Sequence, residues 1–336
     1  MGAAFPARTA YSSKARRKSP PAAHLARQRA AICVSSSAEN EGELERQYRR
    51  ISFCHYLTCL RSGRILAEAP RASRRWVESR NVRRAGTLAA MSETTALVTG
   101  ASGGIGAAIC QLLAARGATI ILHYHADRAA AEAVRRELPG TAHALLQADL
   151  GDDAQLAHIW QELAAHRRID VLVNNAGIFP DHPPLTTAYA DWTAAWQRTL
   201  ATNLLGAAHL SFCAAQAMVQ RGGGRIVSVS SRAAFRGEPT APAYAASKAG
   251  LNAFSQSLAK ALAPRGVYVF VVAPGWVATQ RVAQWVQDQA VIADQPLGRV
   301  ATAVEVAQVV SYCALDAPPS MTGAILDVNG ASYLRS

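Results

Sequence analysis

Thr99-Gly100-Ala101-Ser102-Gly103-Gly104-Ile105-Gly106 is the stretch of sequence that decides the fold. It follows a short apolar run and precedes a long helical pattern, so it joins a strand to a helix. Its glycine spacing is G-x-x-x-G-x-G, which differs from the common dinucleotide-binding spacing G-x-G-x-x-G. Glycines let a backbone approach a pyrophosphate, and a helix N-terminus offers unpaired N–H groups to it. The stretch favours a nucleotide-phosphate site, with a plain tight connection as the alternative.

Seven short β-branched or apolar runs alternate with helical patterns after residue 90. Most of these runs are apolar on both faces, as in strands of a parallel sheet that is covered by helices on each side. The repeated strand–helix order predicts one α/β domain with a doubly wound parallel sheet and right-handed crossovers. The predicted strands are 96–99, 119–124, 142–148, 171–174, 225–230, 267–273 and 325–328. Predicted helices include 105–116, 129–138 and 154–166, and the three prolines within 179–184 predict a loop.

The net charge of +12 is concentrated near the N-terminus. Residues 1–90 contain 18 lysines and arginines against 6 acidic residues, whereas residues 91–336 contain 17 of each. The basic charge therefore gives no support for nucleic-acid binding by the domain at 91–336. Residues 1–90 are expected to form a disordered basic leader. It is a translated upstream sequence if Met91 is the natural start, which we favour; a basic arm and an organelle transit peptide are the alternatives.

The sequence contains no run of eighteen apolar residues and no secretory h-region, so neither a membrane span nor secretion is expected. The six cysteines have no zinc-ligand spacing, and no metal is expected. Those of the domain fall in apolar helical patterns, where small buried thiols are typical. A reducing compartment, the cytoplasm, fits this pattern best, with organelle import through the leader as the alternative. The cysteines are Cys33, Cys54 and Cys59 in the leader and Cys110, Cys213 and Cys313 in the domain.

Tyr244 and Lys248 are four residues apart in a stretch that begins at Ser231. On a helix this spacing puts both side chains on one face. A free tyrosine has a pKa of about 10, and a neighbouring ammonium lowers it. Beyond residue 90 the chain has two lysines against fifteen arginines, so a compact ammonium at this position is notable. The pair predicts acid–base catalysis, and a surface Tyr and Lys on an amphipathic helix is the alternative.

Taken together and in this order, the motifs resemble the short-chain dehydrogenases/reductases over nearly all of residues 91–336. The ending at residues 322–330 resembles their 3-oxoacyl-acyl-carrier-protein reductase branch. The resemblance implies a Rossmann domain that binds a nicotinamide cofactor and catalyses hydride transfer. The matching residues are Thr99 to Gly106, Asp149 with Leu150, Asn174 to Gly177, Asn203, Ser231, Tyr244, Lys248, and Pro274 with Gly275 and Thr279.

The resemblance implies four catalytic residues. Tyr244 would be the general acid in reduction and the base in oxidation, and Lys248 would lower its pKa and bind the nicotinamide ribose. Ser231 would donate a hydrogen bond to the substrate oxygen. It is chosen over Ser230 because the family places this serine thirteen residues before the tyrosine. Asn203 would hold a water that links Lys248 to solvent.

The resemblance also implies four groups of cofactor contacts. They are Gly100, Ser102, Ile105 and Gly106 at the pyrophosphate and adenosine ribose; Asp149 and Leu150 at the adenine; Asn175, Ala176 and Gly177 at the adenine ribose; and Pro274, Gly275 and Thr279 at the nicotinamide.

The end of the second predicted strand bears on the choice of cofactor. A ribose 2′-hydroxyl is usually bound there by an acidic residue, and Asp127 comes a few residues late. Tyr124, His125 and Arg128 could instead surround a 2′-phosphate, so NADP(H) is favoured over NAD(H). The His-Tyr-His stretch resembles pteridine reductases, although Gly103 stands where many phosphate-binding relatives have arginine. An exposed strand end without a phosphate role is the alternative.

The expected function is NADP(H)-dependent hydride transfer to or from a carbonyl or alcohol, such as a 3-oxoacyl thioester or another small ketone. A pteridine-reductase-like enzyme and a catalytically silent nucleotide-sensing scaffold stay open, although the occupied catalytic positions argue against a scaffold. The expected partners are a small-molecule substrate and further copies of the chain, as a homotetramer or dimer, with no nucleic acid and no membrane. The predicted pocket walls are 179–185, 233–238 and the segment after Thr279 to about 293, with Phe235, Trp276 and Trp285 as apolar candidates.

Overall fold

The computed structural model describes residues 94–166, 168–280 and 289–335. The predictions about the leader at 1–90 and its three cysteines therefore lie outside the described residues, as does Trp285.

A seven-stranded parallel sheet forms the centre of the domain, with the strand order β3-β2-β1-β4-β5-β6-β9. A two-stranded ladder of β7 and β8 lies beside it. The strands are β1 (Thr95–Val98), β2 (Thr119–Tyr124), β3 (Ala144–Gln147), β4 (Val171–Asn174), β5 (Gly224–Val229), β6 (Val267–Pro274), β7 (Val277–Ala278), β8 (Ala301–Thr302) and β9 (Ile325–Val328).

Helices connect successive strands. They are α1 (Gly104–Ala115), α2 (Arg128–Glu137), α3 (Asp153–His166), α4 (Tyr189–Leu200), a π-helical turn (Ala201–Leu205), α5 (Gly206–Gln220), α6 (Ala233–Arg236), α7 (Pro242–Leu262), α8 (Gln289–Ala293) and α9 (Ala303–Leu315). None of the helices among the described residues is both long enough and apolar enough to cross a membrane.

Two hydrophobic clusters cover the two faces of the sheet. One contains Ile109 of α1 and Val310 of α9, and the other contains Leu156 of α3 and Met218 of α5. Within β1, Ala96 and Val98 belong to the first cluster and Leu97 to the second. Successive strand residues point to opposite faces, so a strand that is buried on both sides must be apolar throughout. This arrangement is the predicted doubly wound sheet.

All seven predicted strands are present in the sheet, and residues 179–184 form the predicted irregular segment. The expected strand at 142–148 is shorter than predicted, because β3 begins at Ala144. The reason lies in His143, whose ring Nδ1 accepts the N–H of Ile120 at 3.0 Å. A side chain thus occupies the position at which a backbone carbonyl would have extended the ladder.

The sheet has its topological switch point at β1, which pairs with β2 on one side and β4 on the other. The connections from these strands leave in opposite directions, so a crevice opens at their carboxyl ends. The glycine-rich stretch, the segment after β4 and the segments after β5 and β6 all lie at this edge.

Candidate active site

The glycine-rich turn after β1 is closely packed. Gly100 has a φ of 65°, and a Cβ there would lie 2.9 Å from Ala176 Cα. A Cβ on Gly106 would lie 2.1 Å from the carbonyl oxygen of Gly100, so neither position accepts a side chain. Residue Gly103, which precedes α1, provides no side-chain cap to the helix, and no atom lies within 4 Å of its Cβ position. Open space next to uncapped N–H groups fits a pyrophosphate.

Thr99 and Asn175 join the glycine turn to the segment after β4. The Thr99 hydroxyl accepts the N–H groups of Asn175 at 2.9 Å and Ala176 at 3.0 Å. The Asn175 side-chain amide donates to the carbonyls of Thr99 at 2.8 Å and Gly100 at 3.1 Å. Asn175 therefore shapes the turn with its side chain, and it holds the segment of Ala176 and Gly177 against the glycine turn.

His123 at the end of β2 also supports the turn, a role that the sequence analysis missed. Its Nδ1 accepts the N–H of Gly100 at 3.2 Å, and its Nε2 lies 3.3 Å from the carbonyl oxygen of Ala148. Because Nδ1 is an acceptor, the ring proton belongs on Nε2, which donates to Ala148. Burial lowers the pKa of His123 to about 4, so the ring is neutral near pH 7. The His-Tyr-His stretch was the available signal, but sequence alone does not assign this contact.

The residues at and after the end of β2 take different roles. Tyr124 is buried, and its hydroxyl donates to Gln147 Oε1 at 3.2 Å. His125 is exposed, with Nε2 3.6 Å from Asp149 Oδ2. Asp127 caps α2 by accepting the N–H of Ala130 at 2.8 Å. This capping role accounts for an acidic residue at position 127 without any contact to the ribose. His125, Asp127 and Arg128 are all exposed at this strand end, and of these Asp127 is engaged as the helix cap.

Asp149 and Leu150 shape the turn after β3. Asp149 Oδ1 accepts the N–H of Gly151 at 2.9 Å, and the Asp149 N–H donates to Gln155 Oε1 at 3.0 Å. Leu150 is buried, and its carbonyl oxygen would lie 2.4 Å from a Cβ on Gly206. Both residues stand at the carboxyl edge, on the side of β2.

Tyr244 and Lys248 lie on α7, which begins with Pro242 at its first position. Lys248 is buried, and its Nζ donates to the carbonyl oxygen of Val229 at 2.8 Å. The same Nζ lies 5.8 Å from the centre of the Tyr244 ring. The edge of Phe179 packs against that ring at a centroid distance of 4.7 Å. The predicted spacing thus places a fixed ammonium beside a half-buried phenol.

Asn203 lies in the π-helical turn between α4 and α5. Its side chain accepts the N–H of Ile178 at 2.8 Å and donates to Ser247 Oγ at 3.1 Å. A Cβ on Gly177 would lie 3.4 Å from both Asn203 Oδ1 and Lys248 Nζ. Asn203, Gly177 and Lys248 therefore meet at one point. π turns within helices are frequent at functional sites.

The two adjacent serines after β5 face different surroundings. Ser230 is buried and donates to the carbonyl oxygen of Lys248 at 3.3 Å. Ser231 is partly exposed, and its Oγ accepts the N–H of Ala233 at 3.1 Å. The hydroxyl of Ser231 still has its proton to donate, because an acceptor role leaves the O–H available. Solvent access and this donor favour Ser231 for a substrate contact.

The segment after β6 closes the other side of the crevice. Gly275 donates its N–H to the carbonyl oxygen of Val328 at 3.0 Å. A Cβ on Gly104 would lie 3.3 Å from the methyl carbon of Thr279. Thr279 and the segment that begins at Pro274 thus border the glycine turn, where Ser102 and Ile105 are partly exposed.

The loop at 179–184 is held to α7 by His182, a second residue that the sequence analysis missed. This buried ring accepts the N–H of Ala243 at its Nε2, at 3.1 Å. Its Nδ1 lies 2.8 Å from the carbonyl oxygen of Pro180. The ring satisfies an N–H of the first turn of α7, so the loop is fixed beside Tyr244.

Among the described residues no three His, Cys, Asp or Glu side chains are grouped to hold a metal ion.

A parallel sheet with a glycine turn at its switch point, next to a tyrosine and a buried lysine on one helix, defines a Rossmann-fold nucleotide-binding enzyme. Comparison with known families makes this specific: the model of the short chain dehydrogenase family matches residues 94–290. The chain belongs to the short-chain dehydrogenase family. It is therefore an NAD(P)-dependent oxidoreductase that acts on CH–OH or C=O groups.

Individual relatives agree with this assignment. The chain is 38% identical over 242 residues to the 3-oxoacyl-[acyl-carrier-protein] reductase of Escherichia coli K12, covering 71% of this chain and 97% of the relative. It is also 38% identical over 246 residues to the cis-4-hydroxycyclohexanecarboxylate dehydrogenase of Sinomonas cyclohexanicum, covering 72% and 97%. A similar solved structure comes from Beutenbergia cavernae and is described as an NAD(P) dependent gluconate 5-dehydrogenase with bound NADP. It has a TM-score of 0.67, 35% identity, and coverage of 74% of this chain and 99% of that one.

Proposed function

We propose that this protein is an NADPH-preferring reductase of small ketones, with 3-oxoacyl thioesters and cyclic or sugar-derived keto acids as the substrate classes to test first. The observation that carries the proposal is the placement of the Lys248 ammonium 5.8 Å from the Tyr244 ring, next to Gly177. The names of the relatives support these substrate classes, since one reduces 3-oxoacyl groups and another acts on a hydroxycyclohexanecarboxylate.

In the proposed mechanism, bound dihydronicotinamide supplies the hydride that the carbonyl carbon accepts. The Tyr244 hydroxyl gives its proton to the carbonyl oxygen, so the ketone becomes an alcohol and tyrosine becomes a phenolate. The Lys248 ammonium stabilises this phenolate, and Ser231 donates a hydrogen bond to the substrate oxygen as negative charge develops. A solvent proton then restores the phenol. We assign to Asn203 the water that links Lys248 to solvent, and its side-chain bonds to Ile178 and Ser247 also position Gly177 beside Lys248.

The remaining cofactor contacts follow the geometry of the crevice. The glycine turn, with Gly100, Ser102, Ile105 and Gly106, would bind the pyrophosphate. Asp149 and Leu150 would border the adenine, and Asn175, Ala176 and Gly177 the adenine ribose. Pro274, Gly275 and Thr279 would border the nicotinamide.

The preference for NADPH rests on charge at the end of β2. Asp127 is engaged as the cap of α2, and His125 and Arg128 are exposed at the same strand end. A 2′-phosphate carries negative charge that the Arg128 guanidinium attracts, and the His125 ring can donate a hydrogen bond to it, whereas a 2′-hydroxyl gains little from a cation. NADP bound to the Beutenbergia cavernae structure is consistent with this proposal.

A pteridine substrate is less well supported. The His-Tyr-His stretch suggested it, but His123 supports the glycine turn and Tyr124 bonds to Gln147. Two of the three residues therefore have structural roles that do not depend on the substrate.

The proposal includes a cytoplasmic homo-oligomer in which residues 91–336 form the catalytic domain and residues 1–90 contribute nothing to catalysis. It is tested by following NADPH oxidation with 3-oxoacyl thioesters, cyclic keto acids, simple ketones and a pterin. Turnover of a ketone by the wild-type protein, together with loss of that turnover in Tyr244→Phe, would support the proposal. A protein that binds NADPH tightly but reduces no member of the panel would favour the nucleotide-sensing scaffold.

A further inference from the structure

Arg232 is a buried charged side chain immediately after the proposed catalytic Ser231. Its side chain is 6% exposed, and burial lowers the pKa of the guanidinium below its ordinary value. Arginine is rarely buried unless it is paired, because removing a charge from water is costly. The mechanism above does not use this side chain, so its place beside the site needs an explanation.

Three segments that are far apart in sequence meet at Arg232. Its backbone N–H donates to the carbonyl oxygen of Pro274 at 2.8 Å. Its Nη1 donates to the hydroxyl oxygen of Ser332 and lies 3.6 Å from Asp294 Oδ2. Asp294 also lies 3.6 Å from Arg236 Nη1. Arg232 thus joins the serine segment to the proposed nicotinamide segment, to the end of α8 and to the C-terminus.

Hydrogen bonds within the C-terminal turn, residues 329–333, orient the hydroxyl of Ser332. The Asn329 side chain donates to the carbonyl oxygen of Tyr333 at 2.9 Å, and the Ser332 hydroxyl donates to the Asn329 carbonyl oxygen at 2.7 Å. With its proton used in this way, the Ser332 oxygen is an acceptor for Arg232. Ala331 has a φ of 60°, the one left-handed non-glycine residue among the described residues. Such a conformation persists only where its surroundings enforce it.

The turn also contacts two segments that border the site. Gly275 donates to Val328, the residue before the turn, at 3.0 Å, and a Cβ on Gly275 would lie 3.0 Å from Asn329 Cα. Phe235, three residues after Arg232, stacks on Tyr333 of the turn at a centroid distance of 6.3 Å. The turn therefore contacts segments on both sides of the crevice.

We infer that Arg232 is a positioning residue, held by Ser332 of the C-terminal turn and by Asp294, that fixes Ser231 relative to the segment beginning at Pro274. The inference builds on the proposed function, because it concerns the placement of the proposed substrate-binding serine. Ser231 acts only at the reacting carbonyl, so a displaced Ser231 lowers kcat and leaves the affinity for NADPH nearly unchanged.

A matched control is present on β5, the strand that leads into the serine segment. Arg225 lies at the opposite end of β5, donates to the Cys313 carbonyl oxygen at 2.8 Å, and also has its guanidinium pKa lowered by burial. It stands beside the aromatic rings of Tyr268 and Phe270, away from the carboxyl edge. Arg225→Lys therefore disturbs a partly buried arginine without touching the serine segment.

The test compares Arg232→Lys, Ser332→Ala, Ser332→Thr and Arg225→Lys with the wild-type chain. Both contacts are made by Nη1, which the rigid, planar guanidinium holds in place and a flexible lysine ammonium does not, and Ser332→Ala removes the acceptor. We expect Arg232→Lys and Ser332→Ala to lower kcat about tenfold with the NADPH Kd within about twofold of wild type. Ser332→Thr keeps the hydroxyl and is expected to restore kcat, and Arg225→Lys to leave it unchanged.

The inference is overturned if either folded variant, Arg232→Lys or Ser332→Ala, keeps kcat within about twofold of wild type, or if Arg225→Lys loses as much as they do. If Arg232→Lys does not fold, the Ser332→Ala and Ser332→Thr pair decides. Loss of turnover in Tyr244→Phe, together with unchanged turnover in Ser332→Ala, refutes this inference alone. Full turnover in Tyr244→Phe refutes the proposed catalytic function instead.

Discussion

Asn203 and Ile178 are joined by two opposed hydrogen bonds. The Asn203 side chain accepts the N–H of Ile178 at 2.8 Å and donates to its carbonyl oxygen at 2.9 Å. An amide group can make this double contact with a backbone because it holds a donor and an acceptor side by side. The pair fixes the segment after β4 against the π turn, with Gly177 between Asn203 and Lys248.

Tyr244→Phe should abolish turnover and leave the NADPH Kd nearly unchanged. The substitution removes the proton that the substrate oxygen receives and preserves the ring that packs on Phe179. Loss of a general acid typically costs about 10²–10⁴-fold in kcat. Steady-state kinetics and a fluorescence titration with NADPH measure the two quantities. Activity within a few-fold of wild type would contradict the assignment.

Lys248→Arg should also lower kcat strongly. The buried ammonium donates to the Val229 carbonyl oxygen at 2.8 Å. The backbone of Gly177 lies close to it, since a Cβ there would be 3.4 Å from Nζ. A planar guanidinium does not fit this position with the same contacts. Lys260→Arg, at an exposed position on the same helix, is the matched control and should retain full turnover. Equal activity in the two variants would show that the ammonium at 248 is not required.

His125→Asp should shift the cofactor preference from NADPH toward NADH. The new carboxylate would repel a 2′-phosphate and offer an acceptor to a 2′-hydroxyl. His125 is the better site than Tyr124 because it is exposed, whereas Tyr124 is buried against β3. The measurement is kcat/KM for each cofactor. A wild-type enzyme that already prefers NADH would refute the interpretation of this strand end.

Stability should fall as the pH drops below about 6.5, because the pKa of His123 is lowered by burial to about 4 in the folded protein. Between these values the unfolded chain binds a proton that the folded chain does not. The free energy of unfolding therefore rises with pH by an amount on the order of 3 kcal/mol across this window. Above the window it levels off.

Urea unfolding at a series of pH values measures this dependence. His123→Gln removes the titrating group, so its unfolding free energy should change less between pH 4 and 6.5. An identical pH dependence in the variant and the wild type would show that His123 does not cause it.

The chain should assemble as a homotetramer or dimer through α7 and the helices from α4 to α5. Leu205 and Phe212, both in the latter region, are 47% and 60% exposed in the single chain. Exposed apolar side chains of this size are typical of surfaces that are covered by a second copy. Light scattering at micromolar protein should give a multiple of the chain mass, and Phe212→Glu should reduce it. A monomeric wild type would contradict the prediction.

Much of the fold follows from local sequence patterns. β1, β2 and β4 are apolar on both faces, and the glycine stretch after β1 specifies a close turn. Tyr244 and Lys248 were found because their spacing matches one face of a helix. The features that escaped prediction depend on contacts distant in sequence: His123 binding Gly100, and His182 binding Ala243.

Two other features give no signal in the sequence. The π turn at residues 201–205 has the same composition as the helices around it, so periodicity does not separate it from α4 and α5. The left-handed Ala331 lies where glycine or asparagine would be expected from backbone preference alone. Ala331 lies inside the turn that the hydrogen bonds of Asn329 and Ser332 close.

The parallel direction of all seven strands gives the molecule two unlike ends. Every proposed catalytic or cofactor contact belongs to the end at which the strands finish. The opposite end is where α1 terminates, at the Arg116–Asp316 ion pair, and where β5 begins at Gly224. Tethering the enzyme to a solid support through this far end would leave the mouth of the crevice facing the bulk liquid. An immobilised catalyst made in this way should keep the access to substrate that the free enzyme has.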